Sequence, residues 1–236
     1  MTASRPLSSA REEDSPLPRK GARRGTMNTS IEQLRENVDH PHWSDAGVRD
    51  RARWLAALAD RLETRHGYTS DHTIAVSRLA IAIGRRLGLT GLELRQVELG
   101  ALLHDVGKLD VPETILGKPT PLSALEWSAM RRHAEAGVRM LHHVLDVPAV
   151  LAMVRWHHER WDGEGYPDGM RGEQIPLGAR IIAVADAFQA MLEPRPYRGG
   201  RTRAAALDEM SRNAGSQFDP DCVDALRQIV ADPSLV

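Results

Sequence analysis

A single cysteine, Cys222, in 236 residues excludes any disulfide within the chain. No run of about 18 apolar residues occurs, and no apolar segment follows Met1, so the sequence supports neither a membrane span nor a Sec-type signal. A soluble, cytoplasmic protein is expected. Charge of one sign is also lacking: 31 basic residues face 32 acidic ones, which gives no reason to expect binding to a nucleic-acid polymer or an anionic membrane. Strand alternation, hairpin turns and internal repeats are missing, which leaves an all-α fold. Lysine is scarce. Only Lys20, Lys108 and Lys118 occur, and every other strongly basic residue is arginine. Against that background Lys108, three residues after Asp105, invites a chemical reason for a compact ammonium.

The expected organisation is a disordered tail over residues 1–26, an N-terminal extension over 27–60 and a single helical domain over 61–231. The tail is rich in Ser, Pro, Gly and Arg without apolar periodicity, and Met27 is an alternative start. Ala52, Leu55, Leu58, Ala59 and Leu62 give a helix from Val48 to about Arg65 its apolar face. A polar turn over 66–71 precedes a helix whose stripe is His72, Val76, Leu79, Ile83 and Leu87, ending near Gly88. Thr90 and Glu93 form a capping box that opens the helix carrying His104 and Asp105, and Ser123 with Glu126 opens another leading to His133. Asp146, with Pro148 in the first turn, starts a helix that finishes at Trp156-His157-His158. Residues 159–175 are a Gly-rich loop. The helix 176–192 that follows is apolar on nearly all sides except at Asp186, and Thr202 and Asp219-Pro220 open two closing helices.

An apolar stripe that ends in His104, and a carboxylate buried in the run ARIIAVADAF, carry the chemistry. An ionised Asp186 in that setting is costly unless paired, with a metal ion, Arg180 or a helix N-terminus as candidate partners. Together His72, His104, Asp105, His133, His157, His158 and Asp186 are candidate ligands, while His40, His42, His66, His142 and His143 lack their context. His157 and His158 would point about 100° apart on a regular helix, so they need two neighbouring ions or an unwound helix end. Imidazoles and carboxylates without thiolates suit iron, manganese, zinc or nickel. Two ions about 3.5–4 Å apart, bridged by Asp105, would generate hydroxide and clamp a phosphoryl group, with Lys108 on a phosphate oxygen.

His72, His104-Asp105 with Lys108, His133, HHERWDGEGYP and IPLGARIIAVADAF resemble the HD-GYP branch of the HD phosphohydrolase superfamily over about residues 60–230. The resemblance implies a phosphodiesterase that opens cyclic di-GMP to pGpG and sometimes continues to GMP. A related nucleotide such as cyclic GMP-AMP is the alternative substrate, and a non-catalytic interaction module the alternative function. It implies the seven metal ligands above, phosphate contact by Lys108, and nucleotide contacts by Arg195 and Arg198 in RPYR. Gly165-Tyr166-Pro167 matches the namesake loop, read as a turn, a site wall or a docking surface for a GGDEF-domain protein. The domain's usual sensor has no counterpart in the residues before it, so regulation is expected to come from a sensor partner, from expression or from a homodimer through the helix 48–65.

Two departures stand out. Leu192, Glu193 and Pro194 occupy positions where many relatives carry small polar residues, which puts the nucleotide-contact geometry in question. Some relatives hold a third ion through a Glu one turn before the first His, and here that position is Tyr68. Two divalent transition-metal ions are therefore expected, iron first. His72, His104, Asp105 and Asp186 would serve one ion and His133, His157 and His158 the other.

Overall fold

The computed structural model describes residues 70–194 and 199–232, and among these every regular element is helical. The expected tail, the extension 27–60, the helix 48–65 and Tyr68 lie outside the described residues, as do Arg195 and Arg198. The order is α1 (Ser70–Arg86), α2 (Gly91–Leu103), a 3-10 turn (Val106–Asp110), α3 (Glu113–Leu116), α4 (Ala124–Arg131), α5 (His133–Leu141) and α6 (Pro148–Trp156). After the Gly-rich loop come α7 (Leu177–Leu192), α8 (Arg203–Arg212) and α9 (Pro220–Ala231). None of the described helices is long and apolar enough to cross a membrane.

The apolar pattern of α7 places it at the centre. Gly178, Ala179, Ile181, Ile182, Val184, Ala185 and Phe188 are all buried, and the helix packs against α1, α2, α6, α8 and α9. A helix hydrophobic all round has no other stable position in water. Around it lies the larger of two apolar clusters, with Val76, Leu79 and Ile83 of α1, Val97 and Ala101 of α2, and Met210, Leu226 and Ile229. Each such aliphatic side chain contributes about 1.5–3 kcal/mol by leaving water. A smaller cluster joins Leu103 and Val106 to Leu141, Leu145, Val150 and Val154, under α5 and α6. Helix α2 runs from one cluster into the other, and its C-terminus falls between them.

The capping signals act locally. Thr90 N–H donates to the Glu93 carboxylate at 3.3 Å, and Ser123 N–H to that of Glu126 at 2.7 Å. Thr202 Oγ1 accepts from Ala205 N at 3.2 Å and Asp219 from Asp221 N at 2.8 Å. These bonds satisfy backbone donors that a helix leaves orphaned.

Helix ends differ from expectation at four places. Helix α1 is already formed at Ser70, the first described residue, inside the expected polar turn. Helix α6 starts at Pro148 with Val147, not Asp146, at its cap, because the exposed Asp146 makes no capping bond there. Helix α2 stops at Leu103, so His104 is its C-cap and Asp105 lies beyond it. Helix α6 stops at Trp156, which leaves His157 as C-cap and His158 in the following turn.

Candidate metal centre

The last two of those terminations shape the site. His104 keeps a helical backbone, and Asp105, at φ −98° and ψ 5°, turns the chain into the 3-10 segment. That turn depends on Gly107, where a Cβ would collide with the His133 carbonyl and the Gly137 amide nitrogen. Without a side chain at Gly107, the first turn of α5 closes against the His-Asp corner. His133 Nε2 thereby comes within 3.4 Å of Asp105 Oδ1. His157, released from α6, points its Nε2 to 3.9 Å from the same oxygen, and the His158 ring lies 4.0 Å from that of His157. On the other side, His72 of α1 meets Asp186 of α7 at 3.1 Å from Nε2 to Oδ1.

The seven expected ligands fall into two adjoining groups: Asp105, His133, His157 and His158, and then His72, His104 and Asp186. Ligand atoms within each group lie within 4.8 Å of one another. His104 Nε2 stands 3.2 Å from Asp105 Oδ2, which joins the groups.

Proton positions on the imidazoles follow from their partners. Three of them meet the carbonyl three residues earlier: His104 Nδ1 with Ala101 O at 2.7 Å, His133 Nδ1 with Met130 O at 2.7 Å and His157 Nδ1 with Val154 O at 2.9 Å. A carbonyl only accepts, so each Nδ1 carries the proton and donates. In the neutral ring each Nε2 is then a lone pair aimed into the site. His133 Nε2 and His157 Nε2 are 3.3 Å apart, two acceptors facing each other. His104 Nε2 is buried and makes no hydrogen bond. Two nitrogens each about 2.1 Å from a common ion sit roughly 3.0–3.4 Å apart. The residues present therefore fit divalent metal ions, and the donor set of nitrogen and carboxylate oxygen fits iron, manganese, zinc or nickel.

The two groups differ electrically. Burial, helped by the neighbouring imidazoles, pushes His157 and His158 well below the usual histidine range, and burial likewise lowers His133. In the other group burial pulls the same way but loses. Asp186 and Glu193 raise His72, and Asp105 with Asp186 raises His104 to about 9. Burial alone would raise the Asp105 carboxyl, yet Lys108 and the surrounding imidazoles hold it well below the carboxylate range.

Lys108 Nζ donates to Asp105 Oδ2 at 2.6 Å, with the Lys108 side chain largely covered. Tyr166, of the expected Gly165-Tyr166-Pro167 loop, packs its ring 4.9 Å from that of His158, tilted by 33°. The Arg131 guanidinium lies over the Tyr166 ring, 5.2 Å from its centroid, and burial pushes the phenol up. Gly165 is pressed against Glu159 and Arg160, where a Cβ would meet backbone. His142 and His143 are exposed and apart from the site.

The roles of two residues escaped the sequence reading. Glu159, 4% exposed, accepts from the amides of Asp168, Gly169 and Met170 and so fixes the loop that carries Tyr166. Glu193, just past α7, accepts from His72 Nδ1 at 2.8 Å. Only its spacing, seven residues after Asp186 and so about two helical turns on, pointed to a shared face.

Comparison with known proteins agrees with this geometry. Residues 53–222 match the HD domain family. The cyclic di-GMP phosphodiesterase response regulator RpfG of Xanthomonas campestris is 44% identical over 184 residues, covering 76% of this chain and 48% of that protein. A 3'3'-cGAMP-specific phosphodiesterase of Vibrio cholerae is 37% identical over 164 residues, covering 70% of this chain and 38% of that one. The chain thus spans about half or less of the curated relatives it matches. Among solved structures, a cyclic GMP-AMP-specific phosphodiesterase of V. cholerae superposes with TM-score 0.61 at 21% identity, covering 76% of this chain and 48% of that one. An HD-GYP-type protein of Bdellovibrio bacteriovorus gives TM-score 0.58 at 20% identity, covering 87% and 70%, and both establish the shared fold. With that fold and two adjoining His/Asp groups, the chain belongs to the HD domain family, as an HD-type phosphohydrolase domain related to the HD-GYP cyclic-dinucleotide phosphodiesterases.

Proposed function

We propose that this chain is a metal-dependent phosphodiesterase that opens cyclic di-GMP to linear pGpG, with further hydrolysis to GMP at the same site. The observation that carries the reading is the junction of the two ligand groups at Asp105, with the Lys108 ammonium 2.6 Å from the same carboxylate. His72, His104 and Asp186 would hold one ion, His133, His157 and His158 the other, and Asp105 would be shared. Two bound ions of this class, iron foremost, supply a hydroxide at neutral pH and neutralise charge on a phosphoryl group. In the reaction, water adds oxygen to one phosphorus, the P–O3' bond breaks and the departing 3'-oxygen takes a proton.

Around that chemistry the protein orients and neutralises. Backbone carbonyls fix the tautomers of His104, His133 and His157, which keeps their Nε2 atoms available. Lys108 holds the Asp105 carboxylate and offers its charge to a non-bridging phosphate oxygen. Tyr166, half-buried against His158, supports a site-wall role for the Gly165-Tyr166-Pro167 loop over a docking surface. Arg195 and Arg198 would contact the nucleotide.

Cyclic GMP-AMP is the second reading, supported by 3'3'-cGAMP-specific phosphodiesterases of Vibrio cholerae at 35–37% identity. Initial rates of the metal-loaded chain on both cyclic dinucleotides decide between them. Faster production of pGpG from cyclic di-GMP is the expected result. A loaded chain inert toward both substrates would sink the proposal.

A further inference from the structure

Three of the site's imidazoles are steered by main-chain carbonyls of their own helical turns. His72 is held differently, since its Nδ1 meets the carboxylate of Glu193, just past α7. Asp186, within α7, and Glu193, seven residues on and just past the helix, take hold of the two ring nitrogens: Asp186 Oδ1 at 3.1 Å from Nε2, Glu193 Oε1 at 2.8 Å from Nδ1. A carboxylate only accepts, so a ring held at both nitrogens donates from both; with an ion in place of the Nε2 proton, Glu193 would keep the proton on Nδ1 and leave the Nε2 lone pair as the ligand. The His72 side chain is 6% exposed and that of Glu193 40% exposed, so a buried ring is clamped from the rim of the site.

We propose that Glu193 is a positioning residue for the metal centre, a carboxylate that fixes the tautomer and angle of His72 and strengthens it as a ligand for one of the two ions. The inference rests on the two-ion reading above. A carboxylate behind a ligating imidazole makes the ring more basic and pins its orientation, and losing such a partner typically weakens metal affinity about 10–100-fold. The effect is confined to one side, because no contact joins Glu193 to His133, His157 or His158 among the described residues.

The test is a titration of the metal-stripped full chain with manganese(II), scored by free-ion paramagnetic resonance and by elemental analysis of the bound fraction. The parent should take up two ions. Glu193→Ala should weaken one of them about 10–100-fold and leave the other unchanged. Glu193→Gln, whose amide oxygen still accepts from Nδ1–H but carries no charge, should weaken the same ion less than Glu193→Ala does, and Pro194→Ala, an exposed neighbour, should match the parent. Equal loss in the Ala and Gln variants would mean that acceptance from Nδ1–H contributes nothing and would overturn the positioning role. Two unchanged ions in Glu193→Ala, or both weakened alike, would overturn it too. A parent that takes up no manganese sinks the two-ion reading and this inference together, whereas a two-ion parent with an indifferent Glu193→Ala sinks this inference alone.

Discussion

The two halves of the site are built on different foundations. His72 and Asp186 project from α1 and α7, the long helices of the larger apolar cluster, and meet as a carboxylate–imidazole pair. His133, His157 and His158 stand at the ends of short helices over the smaller cluster, with the His133 ring in T-shaped contact with the other two. One half surrounds its histidines with carboxylates, and the other withdraws them from water among one another. The same residue type is therefore pushed toward its protonated form on one side and toward its neutral form on the other. A ring's surroundings, and not its identity, set what it offers an incoming ion.

Asp105 belongs to both halves, so it gives the strongest way to break the comparison. Asp105→Ala should remove turnover of cyclic di-GMP to below detection and lower bound metal from two ions toward none. Elemental analysis of the purified variant checks it. Full retention of two ions would mean that Asp105 joins nothing.

Next in size are paired ligand deletions. His104→Ala should cost the ion on the α1–α7 side and His157→Ala the ion on the α5–α6 side. Each should leave one ion per chain and cut rates by more than the roughly 10–100-fold typical of outer-shell changes. If either variant lost both ions with the helical fold intact by circular dichroism, the halves would be a single cooperative unit.

The same division explains what could be read from the sequence. The helices of the large cluster announce themselves, because Val76, Leu79 and Ile83 keep a helical period and Thr90, Ser123, Thr202 and Asp219 mark the starts. Helix ends over the small cluster do not. The apolar period runs on through Leu103 and Trp156, and what stops the helices is tertiary: the approach of α5 to Gly107 in one case, the loop tied to Glu159 in the other. Both His-Asp and His-His corners were therefore expected inside or at the end of helices, although an unwound end at His157 was one of the alternatives. Glu193 was visible as a departure from relatives, but its bond to His72 spans 121 residues and no local pattern encodes it.

Lys108 tests whether charge can be separated from ligation. Lys108→Ala should reduce the rate about 10²–10³-fold, the range for removing one preorganised charge from a developing anion. Metal content should remain near two, since Lys108 donates to Asp105 but is no ligand. Loss of metal in this variant would assign Lys108 to the assembly of the centre, with the phosphate role withdrawn.

The smallest effect concerns how the α5–α6 half is latched. Asp168 accepts from Arg155 Nε at 2.8 Å, from its Nη2 at 2.9 Å and from Trp156 Nε1 at 2.7 Å, tying the loop to the last turn of α6 just before His157. Those bonds, Arg155 first and Trp156 next, hold the Asp168 carboxyl below its ordinary value against a small opposing effect of burial. A depressed carboxyl pKa stabilises the fold above the unfolded value of about 3.9, and that stability disappears as pH falls through the folded value. The pair is substantially exposed, with side chains 30% and 39% accessible, so its worth is about 0.2–1 kcal/mol. Asp168→Asn should therefore lower the melting temperature by no more than about 2–4 °C at pH 7. Both ions should remain, because no ligand is touched. In acid, once the parent's carboxyl is protonated, parent and variant should melt together. A gap that stayed the same from pH 7 down to strongly acid conditions would show that the charge on Asp168 is not what latches the loop.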